Sequence, residues 1–136
     1  MRDALSTFPG YSLRRATNAA TAELAGRLAE LDVRIADASA LILIGDNAGV
    51  TASALGRQLD IQRANMVPLL KRLEDAGLIE RSPIDGKSQG LELTKEGKAK
   101  TSAVRKTVET FERDLMLRVP EEHRDHLLPA LNALWN

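Results

Sequence analysis

The stretch Thr51-Ala-Ser-Ala-Leu-Gly-Arg-Gln-Leu-Asp-Ile-Gln-Arg-Ala-Asn-Met-Val-Pro-Leu-Leu-Lys-Arg-Leu-Glu-Asp-Ala-Gly-Leu-Ile-Glu-Arg81 decides the fold. Thr51 is placed to cap a short helix carrying Ala52, Leu55 and Leu59. Asp60 interrupts the pattern, and a second amphipathic helix begins near Gln62. Met66, Leu69, Leu70 and Leu73 then fall at i, i+3, i+4 and i+7, one stripe of a 3.6-residue period. Gly77 follows as a residue able to take the left-handed conformation that ends helices, with Leu78 placed for the usual apolar contact. Two short helices around a tight turn make a helix-turn-helix.

Downstream the apolar period drops to two. Leu78-Ile79-Glu80-Arg81-Ser82 and Gly90-Leu91-Glu92-Leu93-Thr94 read as short strands, with Asp85-Gly86 between them as the hairpin signal. Upstream, Leu13, Ala16, Ala20, Leu24, Leu28 and Leu31 recur at spacings of three and four and predict a long helix from about Tyr11 to Leu31. Phe8-Pro9-Gly10 before it reads as an irregular lead-in. A short apolar helix is predicted over about 37–44, closed by the turn Gly45-Asp46-Asn47-Ala48-Gly49. Thr94 is placed to cap a helix over about 95–118 with the stripe Val104, Val108, Phe111 and Leu115. Pro120 fits the first turn of a last helix carrying Leu127, Leu128, Leu131, Leu134 and Trp135.

The expected fold is therefore mainly α with a small β-hairpin wing. A winged helix-turn-helix lobe spans 46–94, and residues 11–45 and 95–136 form a helical dimerisation region. So many leucines on a terminal helix call for a partner, and a second copy is the simplest one, giving a twofold homodimer.

Composition narrows the function. The 136 residues contain no Cys, which excludes disulfides, thiol nucleophiles and thiolate zinc sites. The strongest apolar run, Ala40 to Ile44, is far shorter than a membrane span, so a soluble cytoplasmic protein is expected. His123 and His126 lie three apart beside Glu122, but a metal would need further ligands, and exposed helical histidines are the better reading. No nucleophile-base pair, phosphate-binding glycine loop or carboxylate dyad stands out. No enzyme, metal or cofactor is expected.

Charge points to nucleic acid. Nineteen Lys and Arg balance nineteen Asp and Glu, yet residues 51–100 hold nine basic against seven acidic residues, and both flanking segments are slightly acidic. With the leucine stripe inward, Ala64, Pro68 and Lys71 face outward, flanked by Val67, Asn65 and Arg72, with Arg63 in the first turn. Asn65 suits adenine, and Ala64 and Val67 suit thymine methyl groups. Arg63, Lys71 and Arg72 suit phosphates, which position without specifying. Thr51, Arg81, Lys87 and Ser88 complete the candidate double-stranded DNA-binding set.

The stretch from Thr51 to Arg81 resembles the core of the MarR-type transcriptional regulators, most specifically Leu73-Glu74 through Gly77-Leu78-Ile79-Glu80-Arg81. Leu93-Thr94-Lys95-Glu96-Gly97 is similar to their passage from strand into long helix, and Gly10-Tyr11-Ser12-Leu13-Arg14-Arg15 to their first helix. The resemblance implies a homodimeric regulator, acting as a repressor relieved by a small molecule. Two reading helices would meet a pseudo-palindromic operator with half-sites roughly 10 bp apart. It also implies an effector site near the helical region, where Tyr11, Arg14 and Arg15 can hold a small aromatic or anionic ligand. The absence of Cys removes cysteine oxidation as the signal.

Three departures stand out. The wing Asp85-Gly86-Lys87-Ser88-Gln89 is short and lacks the usual arginines, so Lys87 reads minor-groove shape less well. Asp60 occupies a turn position where glycine is common. Pro68 falls inside the reading helix, which is either bent there or starts late enough to place Pro68 in its first turn. The weak wing also supports an alternative: a dimeric protein-interaction module with weak or lost DNA binding.

Overall fold

Each capping residue singled out above ends or begins a helix in the computed structural model, which describes residues 1–136. The Thr51 Oγ1 accepts the Ala54 N–H at 3.2 Å and opens α3 (Ala52–Gln58). Asp60 takes φ +52, the left-handed turn that Asp tolerates better than most side chains, and the chain re-enters a helix. The reading helix α4 runs Arg63–Asp75 with Pro68 well inside it, so the late-start alternative is ruled out. Proline has no N–H, and the Ala64 carbonyl lacks its usual partner one turn on. Gly77 takes φ +72; its N–H reaches the Glu74 carbonyl and the Leu78 N–H the Leu73 carbonyl, both at 2.9 Å. This paired closure is the Schellman arrangement.

Strands β1 (Ile79–Pro83) and β2 (Gln89–Leu93) pair antiparallel, with Ile79 opposite Leu93 and Pro83 opposite Gln89. Val50 adds a bridge to Leu91 from the other side. Around this lobe lie α1 (Pro9–Ala29), α2 (Ile35–Asp46), α5 (Lys95–Arg118) and α6 (Arg124–Asn132), with 3₁₀ turns at Ala4–Thr7 and Glu121–His123.

Several boundaries differ from expectation; α6 ends at Asn132, which leaves Leu134 and Trp135, expected on it, in the turn beyond. The first helix starts at Pro9, because proline's fixed φ suits a first helical position and its missing N–H is no loss there. Helix α2 continues through Asp46, so the turn contracts to residues 47–49. Pro120 lies outside α6, as the N-cap of the 3₁₀ turn that precedes it.

One apolar core unites the lobe with the surrounding helices. It joins Leu28 of α1, Ala38, Leu41 and Ile44 of α2, Leu55 of α3, the four-residue stripe of α4, Leu91 of β2 and Val104 of α5. The core therefore crosses residue 46, and α2 supplies the floor on which the helix-turn-helix rests. Burying each of these leucines contributes about 1.5–3 kcal/mol. Polar ties reinforce the frame: Lys100 Nζ donates to the Leu31 carbonyl at 2.8 Å, and Arg105 pairs with Asp46 at 2.7 Å.

By contrast, Leu28 is the only buried residue of α1, and α6 has none. Both chain ends extend beyond the core as helices with uncovered apolar side chains. No helix is long and apolar enough to cross a membrane.

Candidate nucleic-acid interface

Between α3, α4 and the hairpin lies an open groove of about 1060 Å³. Met66, Val67 and Leu70 of α4 form part of one wall, and Pro83 with residues 85–89 forms the wing side. Of the expected DNA-facing residues, Thr51, Arg63, Val67, Arg81, Lys87 and Ser88 line it. Val67 is 63% exposed although it is apolar, as a residue that meets a base methyl group must be. Ala64, Pro68 and Lys71 lie exposed along the outer ridge of α4, and Asn65 is exposed on the flank away from the wing.

The cations are not equivalent. Arg63 and Lys87 have no carboxylate partner within the chain. Lys71 Nζ lies 2.7 Å from Asp75 Oδ2, and this hydrogen bond raises the ammonium above its usual range. Both groups are largely exposed, so the pair is weak, and a phosphate can replace Asp75 at little cost. Arg81 Nε lies 2.8 Å from Glu74 Oε1, bracing β1 on α4 with much of its charge offset.

Arg72 is placed differently from its expected role as a phosphate contact. Its Nη2 lies 2.8 Å from Oδ1 of Asp37 on α2, whose side chain is 8% exposed. On a helix, residue 72 sits on the flank facing α2, where the buried carboxylate takes its Nη2 while the side chain stays 38% exposed.

Among the groove residues that sequence reasoning missed as DNA-facing are Ser53, Arg57, Gln62 and Gln89. Arg57 has no carboxylate partner and donates only to Ser53 Oγ, at 2.9 Å. Its signal was present, a basic residue just before the turn in the one basic segment of the chain.

The wing tip is ordered by its aspartate. Asp85 Oδ1 accepts the Ser88 N–H at 3.0 Å and the Lys87 N–H at 3.3 Å, which holds the carboxylate below its usual range. The Ile84 N–H closes the loop on the Ser88 carbonyl at 2.9 Å. The short loop thus presents Lys87 from a fixed turn.

On α1, the three expected effector residues cluster. Arg15 Nη1 donates to the Tyr11 hydroxyl at 3.0 Å, and the guanidinium carbons of Arg14 and Arg15 lie 5.4 and 5.8 Å from the ring centroid. His123 and His126 are both exposed, and no group of three or more His, Asp or Glu gathers as a metal site.

Residues 31–88 match the sequence profile of the MarR family. The chain is 32% identical to the transcriptional repressor CouR in a structure bound to a 23-mer DNA duplex, covering 97% of this chain and 95% of that one with a TM-score of 0.88. Against CouR bound to p-coumaroyl-CoA the identity is 30%, the coverage 98% and 96%, and the TM-score 0.87. A relative from Thauera aromatica, whose name connects it with transcriptional regulation of the hcr operon, is 29% identical over 129 residues, 93% of this chain and 78% of that protein. Similar in sequence and in fold over almost its whole length to such a regulator, the chain belongs to the MarR family of winged-helix transcriptional regulators, which bind DNA and catalyse no reaction.

Proposed function

We propose that this chain acts as a homodimeric repressor whose hold on a pseudo-palindromic operator is released by a CoA thioester of an aromatic acid. The observation that carries the DNA reading is the groove itself. The unpaired cations Arg57, Arg63 and Lys87 line it, and α4 turns Ala64, Val67 and Pro68 to solvent beside it. The repressor reading follows the likeness to CouR, a repressor solved on a DNA duplex.

Dimerisation is supported by the chain ends. Leu5, Phe8 and Leu13 near the N-terminus, and Leu117, Leu128, Leu134 and Trp135 near the C-terminus, are all at least 40% exposed in the single chain. Apolar surface of that extent on two projecting helical segments is covered most economically by the same segments of a second copy.

The effector reading rests on Tyr11, Arg14 and Arg15. Two guanidiniums provide planar, permanently charged donors for phosphate groups, and the tyrosine ring offers a stacking surface. That chemistry suits an aromatic acyl-CoA, the ligand class carried by CouR in one of its structures. Release requires the effector to bind more tightly to a dimer shape whose reading helices no longer match the operator.

The test is fluorescence anisotropy on a labelled duplex from the region upstream of the chain's own gene, titrated over salt concentration. Log affinity is expected to fall linearly with log salt, and p-coumaroyl-CoA to release the duplex where free p-coumarate and CoA do not. A flat salt response with capture of a protein partner would instead support the interaction-module reading, which the single-cation wing favours. Strong DNA binding indifferent to every aromatic acyl-CoA would remove the effector part alone.

A further inference from the structure

The sequence pattern groups Arg72 with the phosphate contacts, but its position in the fold implies a different role. Asp37 stands in the first turn of α2 with its carboxylate buried. One oxygen accepts the Arg34 N–H at 3.3 Å, closing the start of α2, and the other takes Arg72 Nη2 at 2.8 Å. No other ion pair links α4 to an element outside the helix-turn-helix and wing. Lys71–Asp75 lies within α4, and Arg81–Glu74 joins it to β1.

The remaining attachment of α4 to α2 is apolar, through the leucine stripe. Such contacts are non-directional, so burial of the stripe does not by itself specify one angular setting of the helix. The ion pair lies at the edge of an open cleft of about 530 Å³ whose lining includes Asp32, Arg34, Asp37, Arg72 and Asp75. A charge-assisted hydrogen bond, in contrast, has a preferred length and direction. The pair is also poorly built for stability alone. Arg72 Nε is buried with no acceptor, so only part of the guanidinium fork is used.

We propose that Asp37 and Arg72 are positioning residues for DNA recognition: their ion pair sets the roll of α4 on α2 and so aligns the exposed ridge of the reading helix with the base edges. This assignment rests on the DNA-binding reading above and goes beyond it, because it gives both residues a role that needs no contact with DNA. With the carboxylate buried and the guanidinium half-exposed, the pair's proposed contribution is to fix one geometry rather than to add folding free energy.

The full-length protein tests it with two duplexes: one enriched from a randomised pool by the wild type, and a scrambled duplex of equal length. Asp37→Asn and Arg72→Met should keep the wild-type circular dichroism spectrum. Each should lose about tenfold affinity for the enriched duplex, stay within about twofold on the scrambled one, and retain the salt slope. The double variant should bind no worse than the weaker single one. A merely structural role would lower both affinities together. Should either variant fail to fold, Asp37→Glu and Arg72→Lys keep the charges and change the reach and donor geometry. They should show the same selective loss, and unchanged discrimination in them overturns the proposal. It is likewise overturned if Arg72→Met lowers the salt slope by about 0.9 while Asp37→Asn leaves binding intact, since Arg72 is then a phosphate contact. A wild-type chain that enriches no duplex overturns the DNA reading itself, a distinct result.

Discussion

The carbonyl of Leu78 occupies the place that a β-carbon on Gly97 would take. Thr94 completes the joint: its Oγ1 donates to the Gly77 carbonyl at 2.6 Å and accepts the Gly97 N–H at 2.9 Å, while its own N–H reaches the Leu78 carbonyl at 3.0 Å. The end of the reading helix and the start of α5 are thereby fastened at one point, and the hairpin leaves and returns through it. Gly97→Ala should cost about 3 kcal/mol, since the clash is with backbone that cannot step aside, whereas Thr94→Ala should cost about 1–2 kcal/mol for the lost cap. Urea denaturation of the two variants measures both, and equal small losses would contradict the close approach.

The unpaired cations of the groove should be separable from the paired ones by salt. Arg63→Ala and Lys87→Ala are each expected to lower the slope of log affinity against log salt by about 0.9 on any duplex. Arg81→Ala should change it less, because Glu74 already offsets that charge. Anisotropy titrations at several salt concentrations decide the order.

Acid should weaken the attachment of α1 to α5. Glu23 accepts from Arg118 and Arg27, each at 2.8 Å, and Arg27 also pairs with Asp114 at 2.8 Å. The hydrogen bond from Arg118, then that from Arg27, holds the Glu23 carboxyl below its usual range. A carboxylate lowered in the folded state stabilises it at neutral pH, and that contribution is lost as the pH falls through the lowered value. The stability gap between the wild type and Glu23→Gln should therefore be present at pH 7 and close below about pH 4. The groups are exposed enough for 0.5 M salt to shrink the gap. A gap that grows in acid would contradict the assignment.

Charging the uncovered turn after α6 should separate the proposed dimer without unfolding the chain. Leu134 is 69% exposed and makes no core contact in the single chain, so Leu134→Glu costs the monomer little. Sedimentation should show a monomer with unchanged helix content, and operator affinity should fall by at least tenfold as the second half-site contact is lost.

Tyr11→Ala should uncouple the effector from the operator. The residue lies on the projecting part of α1, far along the chain from the groove residues, so affinity for DNA alone should be unchanged. The concentration of p-coumaroyl-CoA needed to release the duplex should rise about tenfold, in keeping with the loss of an aromatic contact between two guanidiniums.

Several local signals are legible in the chain because each residue acts on its own backbone neighbours. Thr51 and Thr94 cap the helices that follow them, Gly77 turns left-handed, and Asp85 orders the hairpin tip. The leucine stripe of α4 was legible for the same reason, since helical spacing alone decides which four side chains share a face. Helix ends were less legible: Pro9 and Pro120 exchange the inside and outside positions expected of them, because the same fixed φ serves either side of a first turn.

Charged residues on a helix flank were the least legible, because their role depends on which distant group arrives there. The spacing of apolar and capping residues by itself determined the winged helix-turn-helix, the outward face of the reading helix and the long helices at either end. Only the tertiary structure decided that Arg72 pairs with Asp37, thirty-five residues away along the chain, and that Arg57 stands in the groove with Arg63 and Lys87. Period and caps are properties of neighbouring residues, whereas the partner of a charge is chosen when separate helices pack and one of them brings a buried carboxylate within reach.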